Sequence, residues 1–164
     1  MRCVPIKASE ASLLHGLYLL TPEYFDLLGT TVPSYQEVFE ELVAAEMDRR
    51  RHCELLSEGQ DLVGYLDWTT DYPGSGDLTV NLLLVATPYQ RRGLGSQAAR
   101  QLEERAPAGT RRILASVYGS NGPAAHFWER RGYRPSNDCG PAVRWYTKIL
   151  SEGERIHVGH QIRR

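Results

Sequence analysis

The sequence is short of lysine, cysteine, net charge and long apolar runs, and each shortage narrows what the protein can be. Lys7 and Lys148 are the only lysines among nineteen basic residues, an arginine bias that genomic composition explains as well as function does. Cys3, Cys53 and Cys139 are odd in number, far apart and match no metal-ligand spacing. Neither a disulfide scaffold nor a metal site is therefore expected, and a reducing cytoplasm is the default location. A formal net charge of −1 gives no global field to draw the chain to nucleic acid or membrane. The longest apolar run, Leu82 to Ala86, falls far below a bilayer span, and the opening MRCVPIKASE lacks the apolar core of a signal peptide. No repeat, low-complexity tract or linker interrupts the 164 residues, a length suited to one well-buried domain.

What is present reads as alternating strands and helices. Val4 to Lys7 reads as a first strand. Ser9 to Leu20 has helical apolar spacing, and TPEYFDLLG adds helix before Gly29. Ser34 and Glu37 form a capping box for a helix that buries Val38, Leu42 and Ala45 and ends near Arg50. His52 to Leu56 and Leu62 to Trp68 are strand-like runs about a hairpin loop, and Leu78 to Val85 is a third, strongly apolar strand. Leu94, Ala98 and Leu102 share one face of the next helix. A strand over Arg111 to Val117 follows, and then a helix over Asn121 to Arg131. Pro123 near the start of that helix and Gly132 past its end follow the usual asymmetry. Val143 to Leu150 closes as a strand. The order predicts an α/β (α+β) domain over residues 1–150, with a mixed, mostly antiparallel central sheet flanked by helices. Residues 151–164 are expected to form a polar tail, either disordered or adding a strand.

The join between the third strand and its helix, VATPYQRRGLGSQAARQLEER, carries the first chemical signal. A strand entering a helix through a glycine-bearing turn gathers unpaired backbone N–H groups where the helix dipole is positive. Gly93 and Gly95 let an anion approach the main chain, and Arg91 and Arg92 add positive potential. A G-x-x-x-x-G-K-[ST] loop is excluded because the turn has no lysine, and a dinucleotide fingerprint because Ala98 stands where its third glycine belongs. A plain surface turn with a helix cap would account for the glycine pair taken alone.

A second segment, SVYGSNGPAAHFWERRGY, lies downstream. Together the two segments resemble the GNAT superfamily of acyl-CoA-dependent N-acetyltransferases. The [QR]-x-x-G-x-[GA] turn of that family is matched by Gln90, Arg91, Arg92, Gly93, Leu94 and Gly95, behind Pro88. Its N-x-x-A-x-x-[LF]-Y-x-x-x-G-[FY] segment is matched by Asn121, Ala124, Phe127, Gly132 and Tyr133, with Trp128 in place of the tyrosine. The resemblance implies a GNAT-like fold with splayed central strands and acetyl-CoA as donor. Backbone N–H groups from Arg91 to Ser96 would hold the pyrophosphate of coenzyme A. The strand at Leu83, Leu84 and Val85 would pair with the pantetheine arm. Asn121 would hydrogen-bond to that arm or its neighbouring loop, with Ala124, Phe127 and Trp128 beside the thiol; Ala124 and Phe127 suit the core equally well.

Proton transfer is where the chain departs from the family. Trp128 replaces the tyrosine that protonates the leaving thiolate in many members, and an indole N–H delivers no proton at neutral pH. Such help is typically worth about 10²–10⁴ in rate, so its loss slows transfer without abolishing it. Tyr118 is the substitute acid to test. Asn81 stands where many members carry a glutamate base, which leaves Asp67 as the best carboxylate, with Asp71 and Asp77 behind it. Aromatic residues Tyr18, Tyr24, Phe25, Tyr35, Trp68 and Tyr72, interleaved with Asp26, Asp67 and Asp71, would suit a cationic acceptor; core packing and turn capping are the competing roles. The expected activity is acetyl transfer to a primary amine of a small molecule, peptide or protein by direct attack in a ternary complex. The alternatives are an acyl-CoA-binding regulatory module without catalysis, or a longer acyl donor. Family members are often homodimers, and no sequence feature decides that state.

Overall fold

Helices pack on both faces of a seven-stranded sheet in the computed structural model, which describes residues 1–136 and 143–150. Cys139 and the expected tail lie outside the described residues. The strands are β1 (Arg2–Pro5), β2 (Arg51–Glu58), β3 (Asp61–Thr70), β4 (Asp77–Val85), β5 (Arg112–Tyr118), β6 (Arg134–Ser136) and β7 (Val143–Ile149). The helices are α1 (Ala11–Leu19), α2 (Pro22–Leu27), α3 (Tyr35–Met47), α4 (Leu94–Glu104) and α5 (Gly122–Arg130). The sheet order is β1-β2-β3-β4-β5-β7-β6, with β4–β5 parallel and the other pairs antiparallel. The mixed, mostly antiparallel sheet expected from the sequence is thus present. Among the described residues, no helix is long and apolar enough to cross a membrane.

Strand alternation divides the apolar residues between two cores. Leu55, Tyr65 and Leu84 face α1, α2 and α3 and pack with Leu14, Phe25 and Leu42. Leu56, Leu66, Trp68 and Val80 face the other way, where Leu94, Ala98 and Leu102 of α4 meet Trp128 and Tyr133. The expected capping box opens α3: Glu37 N–H donates to Ser34 Oγ, and Ser34 N–H donates to the Glu37 carboxylate. Strand β6 escaped the sequence reading. Three residues are too few to show a period, and Pro135 argues against any strand except one at a sheet edge.

One irregularity dominates the centre of the sheet. Strand β4 pairs with β5 only from Asp77 to Val80, against Arg112 to Ala115. Beyond that point β4 continues with β3 to Val85, while β5 continues with β7 to Tyr118. The strands part at a bulge: Asp67 faces Leu82 and Trp68 faces Val80, which leaves Asn81 as the extra residue of β4. The flank of β4 is fixed by Gly64 of β3, where a Cβ would stand 2.2 Å from the Leu84 carbonyl oxygen. Only a glycine lets the two strands approach so closely. Gly64→Ala is therefore expected to cost about 1–3 kcal/mol of stability, the usual range for overpacking. Urea unfolding reads this directly, and an unchanged midpoint and slope would show that the close approach is not required.

Candidate active site

At the end of β4 the chain passes Pro88 and reaches the glycine turn. Arg91 and Gly93 both adopt left-handed backbone conformations, with φ of 61° and 78°. Such a conformation is ordinary for glycine and uncommon for arginine, as is often found where a turn is shaped around a ligand. Gly93 caps α4, and the first N–H of the α4 turn with a main-chain partner is that of Gln97, which donates to Gly93 at 2.9 Å. The N–H groups of Leu94, Gly95 and Ser96 precede it and have no acceptor within the helix. Gln90 Nε2 donates to the Val85 carbonyl at 2.9 Å, and Arg92 donates to the Pro88 carbonyl at 3.1 Å while its guanidinium lies over Tyr89. Arg92 thus braces the turn, and exposed Arg91 keeps its charge in solvent.

The parted strands supply a second set of main-chain groups. Ala86 N–H donates back to Val63 of β3, so alternation turns the N–H and C=O groups of Leu83 and Val85 toward the side where β5 has left. Leu84 faces β3. A position at Gly95 lies beside Phe127 and Val85, at ordinary van der Waals distance from both. Phe127 therefore forms a wall between the turn and the strand edge. An extended chain bearing amides and ending in a pyrophosphate fits these groups, with its amides along β4 and its phosphates at the α4 N-terminus.

On the α1–α3 side, the same fork opens into a cavity of about 850 Å³. Its walls carry Tyr18, Tyr24 and Phe25 from the first helices, Tyr72 and Trp145 opposite, and Asn81, Leu82, Ser116 and Tyr118 at the fork. Four carboxylates (Glu37, Glu41, Asp48, Asp67) line it against two guanidiniums, Arg50 and Arg51, leaving a formal excess of two negative charges. Asp67 is 2% exposed. Arg51 grips it through Nε and Nη2, with Nε 3.1 Å from Oδ1, and also reaches Glu41 at 2.8 Å. Asn81 Nδ2 donates to Asp67 Oδ1 at 2.9 Å and to Thr69 Oγ1 at 2.8 Å. The hydrogen bonds to Asp67 hold the Arg51 guanidinium firmly protonated. Burial, reinforced by the nearby Tyr118 and Glu41, pushes the Tyr24 phenol up to about 12.

Several expected site residues lie elsewhere. Trp128 is 5% exposed and packed between Phe127 and Tyr133 in the core. Asn121 spends its side-chain oxygen on the N–H of Ala124 as the cap of α5, at 3.0 Å. Ala124 is half-buried against the core. Trp68 faces the opposite side of the sheet, stacked on His52. Tyr35 is exposed and packs on Phe39, while Asp26 is exposed and outside the cavity lining. Asp71 receives the Gly76 N–H, and Asp77 is gripped by Arg112 and receives the Gly74 N–H, so both serve the β3–β4 turn. Tyr118, 46% exposed, does line the cavity. Glu41, Arg51, Thr69, Ser116 and Trp145 were not expected at the site. A buried Asp67 demands a cation, but with seventeen arginines the sequence offers no means of choosing Arg51.

Parallel strands that part beside a basic glycine turn and open onto an acidic, aromatic cavity match the architecture of an acyltransferase. Residues 16–133 match the model of the acetyltransferase (GNAT) family, and the chain belongs to that family. An acetyltransferase from Thermus thermophilus is 40% identical, with a TM-score of 0.87 over 91% of this chain and 96% of that one. A spermidine N-acetyltransferase from Vibrio cholerae, in complex with CoA and spermine, shares the fold at 13% identity and a TM-score of 0.69, over 90% of this chain and 94% of that one. So does an acetyl transferase from Salmonella typhimurium that modifies the N-terminal serine of ribosomal protein L7/L12, at 14% identity and 0.72, over 91% and 94%. Among curated proteins, none matches.

The Arg51–Asp67 pair gives a direct test of how the cavity floor is held. Arg51→Met leaves a buried carboxylate uncompensated and is expected to cost about 3–5 kcal/mol. Arg51→Lys should recover only part of this, because an ammonium cannot reproduce the guanidinium fork. Urea unfolding of the two variants measures both values.

Proposed function

We propose that this protein transfers an acetyl group from acetyl-CoA to a primary amine by direct attack within a ternary complex. The observation that carries the proposal is the parting of β4 from β5 directly over the acidic cavity. In this reading the backbone N–H groups from Arg91 to Ser96 hold the pyrophosphate, assisted by the α4 dipole. Leu83 and Val85 take the pantetheine amides along the free edge of β4, and Phe127 closes the side. When bound, acetyl-CoA supplies the activated acyl group as a thioester. Main-chain N–H groups near Leu83 to Val85 are placed to receive developing negative charge on the carbonyl oxygen. Holding both partners in one fork supplies much of the remaining acceleration.

Proton movements are assigned from the side chains at the fork. Tyr118 lies two residues beyond Ser116 on β5, on the cavity side, and is the phenol placed to protonate the departing sulfur. Asp67 is the best carboxylate base in sequence terms. With both oxygens engaged by Arg51 and one also by Asn81, its role is to fix the cavity floor rather than to accept the amine proton. The excess of acidic groups and the aromatic walls favour an acceptor that arrives as a cation.

Two measurements test the reading. Coenzyme A should raise the thermal midpoint of the wild type. Gly93→Glu should abolish that shift through bulk and charge repulsion, while Gly93→Asn, whose side chain tolerates the left-handed conformation, should retain it. Acetyl-CoA should release free thiol in the presence of a suitable amine from a panel of small amines and unblocked peptides. Tight coenzyme binding without thiol release from any amine would favour a non-catalytic binding module. No thermal shift at all would remove both readings.

A further inference from the structure

We propose that Asn81 Oδ1 and Ser116 Oγ form an acceptor-only pair at the fork that receives the N–H groups of the attacking amine. The inference deepens the acetyltransferase reading and rests on it. Its basis is the hydrogen-bond polarity of two side chains. The carboxylate of Asp67, held by Arg51, only accepts hydrogen bonds. The Asn81 atom facing it must therefore be the NH₂ group, whose two hydrogens go to Asp67 Oδ1 and Thr69 Oγ1. That leaves Oδ1 without a donor among the described residues, on a half-buried residue that lines the cavity. Ser116 is fixed in the same sense from the other strand. Its hydroxyl hydrogen is shared between the Val80 and Asn81 carbonyl oxygens, at 3.2 and 3.1 Å, across the point where β4 and β5 part. The Ser116 oxygen can then offer the cavity only lone pairs. Both residues line the cavity at the fork, and their side-chain oxygens thus offer it acceptors and no donors.

A primary amine matches this polarity and a hydroxyl acceptor matches it less well, because the amine keeps one N–H for each oxygen while its lone pair attacks. Neither Asn81 nor Ser116 can take up a proton at neutral pH, so the ammonium gives its first proton to water before attack. The nitrogen–carbon bond then forms as the carbon–sulfur bond breaks. The second proton passes from the nitrogen to water, and the sulfur departs with its electron pair and takes a proton from Tyr118, which solvent reprotonates, giving amide and free thiol. The pH limb of kcat consequently belongs to the bound amine.

The test uses putrescine, 2-phenylethylamine, tyramine and a hexapeptide with a free N-terminus, each scored by thiol release. Binding of the most active amine is then measured by calorimetry on protein saturated with unacetylated coenzyme A. Ser116→Ala is expected to weaken amine binding and raise its KM about tenfold, the size of one charge-assisted hydrogen bond. Coenzyme affinity should stay within about twofold of wild type, and Ser116→Thr, which keeps the oxygen, should restore amine binding. The pH limb of kcat should move between two active amines of different basicity. Unchanged amine binding in Ser116→Ala, an equal loss of coenzyme affinity, or a limb that stays fixed as the amine changes would overturn the pair. Absence of thiol release from every amine overturns the acetyltransferase reading and the pair with it. Release that survives Ser116→Ala unaltered overturns the pair alone.

Discussion

The parallel ladder between β4 and β5 stops after four residue pairs, and the rest of the molecule is arranged around that stop. A strand edge inside a domain carries N–H and C=O groups that must find partners. Here the bulge at Asn81 re-aims β4, and the Ser116 hydroxyl donates to the carbonyls of Val80, the last paired residue, and of Asn81, the first beyond it. Beyond Asn81, the Leu83 N–H and C=O and the Val85 N–H face the side that β5 has left, while the Val85 carbonyl is taken by Gln90 Nε2. A natural sheet protects such an edge or uses it. This one lies between the basic glycine turn and the acidic cavity, where an extended, amide-bearing ligand would complete the sheet. On the opposite flank, the missing Cβ of Gly64 lets β3 approach β4 closely at Leu84.

The cavity is tied to the fork by one continuous polar network. Glu41 belongs to α3, Arg51 begins β2, Asp67 and Thr69 belong to β3, and Asn81 is the bulged residue of β4. Arg51 joins the first three of these elements, and Asn81 joins β3 to β4. Buried ionic groups of this kind add little net stability compared with apolar packing, yet breaking one partner is costly. The network therefore acts as a register device. It couples a helix that lines the cavity to the residue at which the strands part. A shift of α3 on ligand entry would be felt at Asn81 through two hydrogen-bonded side chains.

What could be read from the sequence was what backbone geometry dictates. Gly93 announced a turn because its left-handed backbone favours glycine, Ser34 and Glu37 announced a helix start, and strand-like apolar runs announced β2 to β5. The fork was expected only through family resemblance, since nothing in LTVNLLLV marks where a parallel partner lets go. Asn121 and Trp128 fitted their motif positions and also have partners inside the fold, one capping a helix and the other packed in the core. A motif records which residue types recur, whereas the direction of a side chain depends on its neighbours in space. For the same reason Arg51 and Ser116 were invisible. Each is defined by a partner sixteen or more residues away on another strand.

The burial of Trp128 also bears on how sulfur is protonated. A tyrosine at that position would share the core with Phe127 and Tyr133, and Trp128 fills that space with a larger ring. The loss of a phenol there shifts the search to the cavity tyrosines. Tyr24 is poorly suited, because burial raises its phenol to about 12 and so holds the proton more tightly. Tyr118 sits at the end of β5 with nearly half its surface in solvent, where a proton lost to sulfur is easily replaced. It also lies on the side of the strand that carries Ser116. In the proposed reaction β5 thus sets two successive groups along one face. Ser116 would receive the amine as it enters, and Tyr118 would meet the sulfur as it leaves.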